Sequence, residues 1–134
     1  MKTVEEINLP EELRYSIDHE WVRQETSLAR IGITDYAQDQ LGDIVYVELP
    51  SVGARIAQGA VFATVESVKS VSECLMPFSG EVVEANGQLA DDPALLNRSP
   101  YADGWMVVVK PDDPAAAAQL LTAEGYLSHL KGGA

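Results

Sequence analysis

The residues around Lys69 could provide a site for covalent modification of an amine. Serines occupy several positions in residues 65–73, and Glu66 and Glu73 flank the lysine. Nearby carboxylates favour the protonated amine, whereas a Schiff-base catalyst needs the free base, so the segment favours an acceptor lysine over a catalytic one. An ordinary solvated lysine has the same local features, because no Gly, Pro or Asn fixes a turn here.

The distribution of lysines separates Lys69 from the other cations. The chain has 134 residues and four lysines, and Lys69 is the only one between Lys2 and Lys110. The 9 Lys and Arg residues against 21 Asp and Glu residues give a net charge of −12, which repels nucleic acid and anionic lipid surfaces. We therefore expect no nucleic-acid partner and no membrane partner.

Composition predicts a folded protein of a reducing compartment. Hydrophobic residues make up 46% of the chain, enough to bury a core in one domain over residues 1–134. Cys74 is the only cysteine, so no internal disulfide is expected, and its apolar neighbours predict that it is buried. The acidic start and the lack of an apolar run of about 20 residues argue against a targeting peptide or a membrane span. These features favour a cytoplasmic protein, with the mature form of a mitochondrial-matrix protein as the alternative.

Most of the chain has the pattern of β-strands. Residues 28–33 and 44–49 are rich in β-branched side chains in partial alternation, which predicts strands with one buried face. The buried faces consist of Ala29, Ile31 and Ile33 in the first and Val45, Val47 and Leu49 in the second. Further strands are predicted over residues 21–25, 61–65, 68–75, 80–85 and 105–109.

Capping residues predict where helices begin and end. Thr34 and Asp35 can cap a short helix over residues 36–41 that ends at Gly42. Because proline is tolerated at the first helical position, Pro93 and Pro114 predict two more helices. These cover residues 94–96 and the alanine-rich stretch to Leu121, and residues 132–134 are expected to form a frayed tail.

A weak internal repeat lies on either side of Lys69. Residues 50–53 and 77–80 each begin with proline and end with glycine, and each is followed by an apolar stretch and another glycine. Two similar β-units predict a quasi-symmetric sandwich or flattened barrel. Lys69 then lies in a hairpin that joins the two units.

Long collinear segments of the chain resemble one known family. They are His19-Glu20-Trp21-Val22, residues 31–38 and 41–50, Glu66-Ser67-Val68-Lys69-Ser70, and residues 79–84 and 97–105. These segments resemble the H proteins of the glycine cleavage system, and the lysine segment is similar to that family's lipoyl-attachment motif. The resemblance extends from Tyr15 to the C-terminal helix.

The resemblance implies a fold and a function. The fold would be mainly β, a lipoyl-domain-like barrel-sandwich hybrid with short flanking helices and a C-terminal helix. The chain would be a non-catalytic carrier with (R)-lipoate joined to Lys69 by an amide. Its lipoyl arm would take an aminomethyl group from glycine decarboxylase (pyridoxal phosphate) to aminomethyltransferase (tetrahydrofolate) and electrons to dihydrolipoamide dehydrogenase. A lipoate ligase or a lipoyl/octanoyl transferase would attach the arm.

A carrier of an aminomethyl group would benefit from a cleft that shelters the cationic amine. Glu20 is the first candidate for the carboxylate that lines it, because burying an ammonium group without an anion is costly. Glu73 stands where the family more often has aspartate, and Glu66 is the other acidic flank of the motif. We expect His19 to pack and form hydrogen bonds, and we expect no metal site.

Three other functions are compatible with a modified or reactive lysine. A biotin carrier also presents a lysine, although such proteins usually have methionines where Val68 and Ser70 stand. A lipoyl donor in a relay would keep the same Lys69. An enzyme that uses Lys69 or Cys74 as a nucleophile would need an acid or base partner, and the sequence offers no such constellation.

Overall fold

The computed structural model describes residues 2–132 and is dominated by short antiparallel strands. The strands are Arg14–Tyr15 (β1), Glu20–Glu25 (β2), Leu28–Ile33 (β3), Ile44–Glu48 (β4), Arg55–Ile56 (β5), Val61–Ser67 (β6), Val71–Leu75 (β7), Gly80–Ala85 (β8) and Val107–Pro111 (β9). One sheet has the order β1-β2-β3-β9-β8-β5, and a smaller sheet has the order β4-β6-β7. The two sheets share no ladder within the described residues, so their hydrogen bonding does not close a barrel.

Short helices occupy the connections between strands. The α-helices are Asp35–Leu41 (α1), Gln88–Asp91 (α2), Leu95–Arg98 (α3) and Ala123–Leu130 (α4), and single 3-10 turns cover Val4–Glu6 and Ala117–Gln119. None of the helices within residues 2–132 has the length and apolar character that crossing a bilayer requires. Most of the predicted tail, residues 132–134, lies outside the described part of the chain.

Two apolar clusters hold the elements together. Ile31 and Val109 of the larger sheet and Val65 of the smaller sheet are fully buried in one core. Leu13, Tyr15, Trp21 and Tyr126 form a second cluster between the first strands and α4. The Tyr15 and Tyr126 rings stack with centroids 5.0 Å apart. The predicted mainly β, flattened barrel-sandwich architecture with a C-terminal helix is confirmed.

The prediction for the first helix is confirmed almost to the residue. α1 begins after Thr34, whose hydroxyl accepts a hydrogen bond from the Ala37 N–H. It ends at Gly42, whose N–H donates to the Gln38 carbonyl and whose φ of 77° is in the region that favours glycine. The cap and the stop signal are local, so the sequence alone locates this helix.

The prediction that Val45 lies on the buried face of its strand was wrong. A β-bulge between Ile44 and Tyr46 shifts the register against β6. Ile44 and Val47 are buried, whereas Val45 is 54% exposed. A bulge inserts an extra residue, which breaks the two-residue period on which the prediction depended.

The alanine-rich stretch does not form the predicted helix to Leu121. Only Ala117–Gln119 is helical, as one 3-10 turn. Leu121 instead forms a β-bridge with Tyr15, with N–O distances of 2.9 and 2.8 Å in the two directions. Pairing with β1 requires an extended backbone at Leu121, and alanine offers little side chain to bury in a helix instead. The helix that follows begins after Thr122, whose hydroxyl accepts from the Gly125 N–H.

Several predicted boundaries also move. The strand predicted over residues 68–75 begins only at Val71, because residues 68–70 form a turn. The strand predicted over 105–109 runs from Val107 to Pro111, and the helix predicted over 94–96 is Leu95–Arg98. The short helix Gln88–Asp91 was not predicted.

The two proline-to-glycine segments of the internal repeat lead into strands that pair with each other. Arg55 of β5 pairs with Glu81 of β8, and Ile56 pairs with Gly80. The Gly53 N–H donates to the Val82 carbonyl at 2.7 Å. The segment between these two units forms the antiparallel β6–β7 hairpin.

Candidate functional site

Lys69 lies at the tip of the β6–β7 hairpin. The Ser67 N–H donates to the Ser70 carbonyl at 2.8 Å and closes the turn. The Ser67 hydroxyl accepts hydrogen bonds from the N–H groups of Ser70 (3.1 Å) and Lys69 (3.3 Å). A serine hydroxyl thus provides the turn signal that no Gly, Pro or Asn supplies, and Ser67 was the residue that could have predicted it.

A second set of hydrogen bonds ties the hairpin tip to the end of α1. The Val68 N–H donates to the Asp43 carbonyl at 3.0 Å. Asn97 of α3 holds the same loop: its Nδ2 donates to the Gly42 carbonyl at 2.9 Å, and its Oδ1 accepts from the Ile44 N–H at 3.0 Å. Asn97 was not identified as a site residue from the sequence, although it lies in the segments that resemble the family.

The Lys69 amine is exposed, and within residues 2–132 no ion pair joins it to a carboxylate. Glu66 is half-buried on the central strand β6, opposite Tyr46 on one side and Val71 on the other. Glu73 is exposed on β7. The two flanking carboxylates therefore leave the amine unengaged, as an acceptor lysine requires.

A cleft of about 380 Å³ adjoins the hairpin. It lies between α1, the start of β2 and the strand β7, and its volume is within the range of small-ligand sites. The lining residues are Asp18, His19, Glu20, Ile33, Tyr36, Ala37, Gln40, Leu41 and residues 70–74. Of the predicted site residues, Glu20 and Glu73 line this cleft, whereas Glu66 and Lys69 do not.

Glu20 is the buried acidic group of the cleft. It is 1% exposed, and its carboxylate accepts hydrogen bonds from the Ser16 hydroxyl (2.6 Å) and the Leu75 N–H (3.3 Å). Burial raises the pKa of Glu20 to about 8, and the two hydrogen bonds oppose that shift only in part. With a pKa near 8, the Glu20 carboxyl group is mostly protonated at neutral pH in the folded chain.

His19 forms part of the cleft wall and links it to the C-terminal helix. Its Nδ1 lies 2.7 Å from the Tyr126 hydroxyl, which in turn lies 2.9 Å from the Thr34 hydroxyl. The His19 ring packs on Tyr36 with centroids 4.8 Å apart, and burial lowers the pKa of the imidazole. The φ of His19 is 75°, which is uncommon for a non-glycine residue. The contact between His19 and Tyr126 joins distant parts of the chain, so it was not predictable from local sequence.

Cys74 is buried at the cleft floor and is unsuited to nucleophilic chemistry. Burial raises the pKa of its thiol, and the nearby Glu20 carboxyl adds to that shift. A thiol must ionise to react as a nucleophile. The prediction that Cys74 is a small buried residue is confirmed.

A larger groove of about 630 Å³ lies elsewhere, between the N-terminal segment and α4. Its lining includes Ile7, Leu9 and Leu127, and it shares no residue with the hairpin or the cleft beside it. Within residues 2–132, no group of three or more His, Cys, Asp and Glu side chains could hold a metal ion. The accessible amine and the acid-lined cleft therefore define the candidate site.

Comparisons with known proteins agree on one family. A model of the glycine cleavage H-protein family matches residues 13–132. A glycine cleavage system H protein of Geobacillus sp. (strain WCH70) is 56% identical over 127 residues, covering 95% of this chain and 100% of that protein. A mitochondrial one of Oryza sativa subsp. indica is 52% identical over 119 residues, covering 89% of this chain and 73% of that protein.

A solved structure agrees with these relatives in fold. The crystal structure of a glycine cleavage system H protein from Mycobacterium marinum matches with a TM-score of 0.83 at 38% sequence identity. The match covers 92% of this chain and 99% of that one. Sequence and backbone similarity therefore extend over nearly the same residues.

Proposed function

We propose roles for Lys69 and its cleft on the premise that the chain belongs to the glycine cleavage H-protein family. Members of this family are non-catalytic lipoyl carriers of a multienzyme system. The proposal is that (R)-lipoate is attached to Lys69. It rests on one observation: the only lysine on the β6–β7 hairpin is exposed, unpaired within residues 2–132, and adjacent to an acid-lined cleft.

The residues around Lys69 fit an attached arm. Formation of an amide at Nζ needs an amine that another enzyme can reach, and the Ser67 turn presents it at the hairpin tip. When bound, the dithiolane of lipoate accepts an aminomethyl group and is later reoxidised, so the redox chemistry belongs to the cofactor. The chain contributes attachment, orientation and shelter.

The length of the lipoyl arm would let one lysine serve several enzymes. A lysine side chain extended by lipoate spans about 14 Å when ordinary bond lengths are summed. The arm would let Lys69 present its lipoyl group in turn to the active sites of glycine decarboxylase, aminomethyltransferase and dihydrolipoamide dehydrogenase. A lipoate ligase or a lipoyl/octanoyl transferase must instead approach Nζ itself.

The cleft is the proposed resting place of the carried amine, and Glu20 is its counter-ion. An ammonium group near Glu20 favours the carboxylate, so its arrival lowers a pKa that burial holds at about 8. The empty cleft then avoids a buried unpaired charge, and the loaded cleft holds a pair. Glu73 at the rim adds negative charge on the approach.

Mass spectrometry tests the attachment directly. Expression with lipoate and a lipoate ligase should give one adduct on the peptide that contains Lys69. Lys2, Lys110 and Lys131 serve as internal controls within the same chain. An adduct that persists in Lys69→Arg, or no adduct on the wild-type chain, would contradict the proposal, and a streptavidin blot separates a biotin carrier.

A further inference from the structure

The outer part of the Lys69 side chain lies over the bare backbone of Gly42. A Cβ placed on Gly42 would lie 3.3 Å from Lys69 Cε and 3.8 Å from Nζ. The backbone at Gly42 has φ 77° and ψ −153°, a region that is essentially restricted to glycine. Glycine at this position thus does two things: it ends α1, and it leaves space for the lysine stem.

One hydrogen bond near this contact joins the hairpin to the loop after α1, and another anchors Gly42 to α3. The Val68 N–H donates to the Asp43 carbonyl at 3.0 Å. Asn97 Nδ2 donates to the Gly42 carbonyl at 2.9 Å. The hairpin tip and the end of α1 are therefore held together independently of the lysine side chain.

The contact also lies at one end of the cleft. Leu41, which precedes Gly42, and Ser70, which follows Lys69, are both lining residues. Neither Lys69 nor Gly42 lines the cleft, so the stem lies beside it, next to two residues that do.

We infer that Gly42 is a positioning residue for the modified lysine: its bare backbone lets the stem lie against the end of α1, so that the attached arm starts beside the cleft. This inference rests on the proposed function. A methyl group at position 42 would lie 3.3 Å from Lys69 Cε, so the stem must move away by a few tenths of an ångström. We expect this to lower the ratio of arm inside to arm outside the cleft about 2-fold.

NMR of the lipoylated chain tests this without any enzymatic assay. In the wild-type chain we expect a nuclear Overhauser contact between Lys69 Hε and Gly42 Hα. Lipoylation should also shift the amide signals of the cleft residues Ala37, Leu41 and Cys74. In Gly42→Ala these shifts should shrink about 2-fold, in line with the smaller population of arm inside the cleft.

Gly59→Ala is the matched control. Gly59 also has a positive φ, 83°, but no atom lies within 4 Å of a Cβ placed there. The control therefore also places a side chain at a positive φ, but without touching Lys69. Lipoylation shifts in Gly59→Ala should equal those of the wild-type chain.

Three results would overturn the inference. The first is lipoylation shifts in Gly42→Ala that equal those of the wild-type chain. The second is a reduction of these shifts in Gly59→Ala as large as that in Gly42→Ala. The third is the absence of the Lys69–Gly42 contact in the wild-type chain, which is measurable even if Gly42→Ala does not fold. A lipoyl adduct on Lys69 with any of these results rejects the inference alone. A missing adduct on the wild-type chain rejects the proposed function and the inference together.

Discussion

The Glu20 carboxyl group, at the start of β2 in the larger sheet, accepts a hydrogen bond at 3.3 Å from the Leu75 N–H, at the end of β7 in the smaller sheet. This contact joins β2 to β7 across the cleft. It orients a buried acid toward the space beside the hairpin that carries Lys69. The two sheets thus meet through the group that we assign to the carried amine.

The buried acid gives the stability of the chain a characteristic pH dependence. Below about pH 4.5, Glu20 is protonated in both the folded and unfolded chains, and between 4.5 and 8 only the folded chain retains the proton. Stability from this group is therefore full below pH 4.5 and is lost as pH rises through 8, by on the order of 3–5 kcal/mol. Urea unfolding of the wild-type chain and of Glu20→Gln at pH 5 and pH 9 measures the difference.

Glu20→Gln keeps the side-chain volume and removes the titration, so its free energy of unfolding should fall less between the two pH values. Contributions from His19 and the buried tyrosines are common to both proteins and cancel in the comparison. Parallel pH profiles for the two proteins would show that Glu20 does not hold a proton in the folded chain.

The Ser67 hydroxyl should matter for the hairpin turn. Ser67→Ala leaves the N–H groups of Lys69 and Ser70 without their acceptor and should lower the free energy of unfolding by about 1–2 kcal/mol. It should also slow lipoylation, because the ligase meets a less ordered lysine. Ser72→Ala, on the same hairpin but outside the turn, is the control. Equal lipoylation rates in Ser67→Ala and Ser72→Ala would refute this role.

Asn97 should couple the end of α1 to the hairpin tip. Asn97→Asp replaces the Nδ2 donor by a carboxylate oxygen that faces the Gly42 carbonyl and the Gln38 side-chain oxygen. We expect a loss of about 1–3 kcal/mol in the free energy of unfolding. Hydrogen exchange at the Val68 amide should become faster, because its acceptor Asp43 lies in the loop that Asn97 holds. Unchanged protection at Val68 would mean that the loop is fixed without Asn97.

The first helix was predictable because its determinants are local. Its caps, Thr34 and Gly42, lie within a few consecutive positions. The hairpin was predicted only from the internal repeat on either side of Lys69. The role of Ser67 was equally local, and a reading that included serine turns could have found it.

The cleft was not predictable in the same way, because its walls come from distant parts of the chain. Glu20 was identified through family resemblance, but its burial depends on Leu75 and Ser16 meeting it in the fold. The bulge after Ile44 and the bridge between Leu121 and Tyr15 are likewise set by partner strands. Tertiary pairing overrides local propensity at both places.

The central claim is that this chain carries an aminomethyl group on a lipoylated Lys69. Its most direct test is the glycine-dependent exchange of labelled bicarbonate by glycine decarboxylase, with the lipoylated chain as the only carrier and Lys69→Arg as the control. We predict exchange that rises with the concentration of the lipoylated chain and then saturates, with none above background for Lys69→Arg. A fully lipoylated chain that supports no more exchange than Lys69→Arg would contradict the account and favour a role as lipoyl donor.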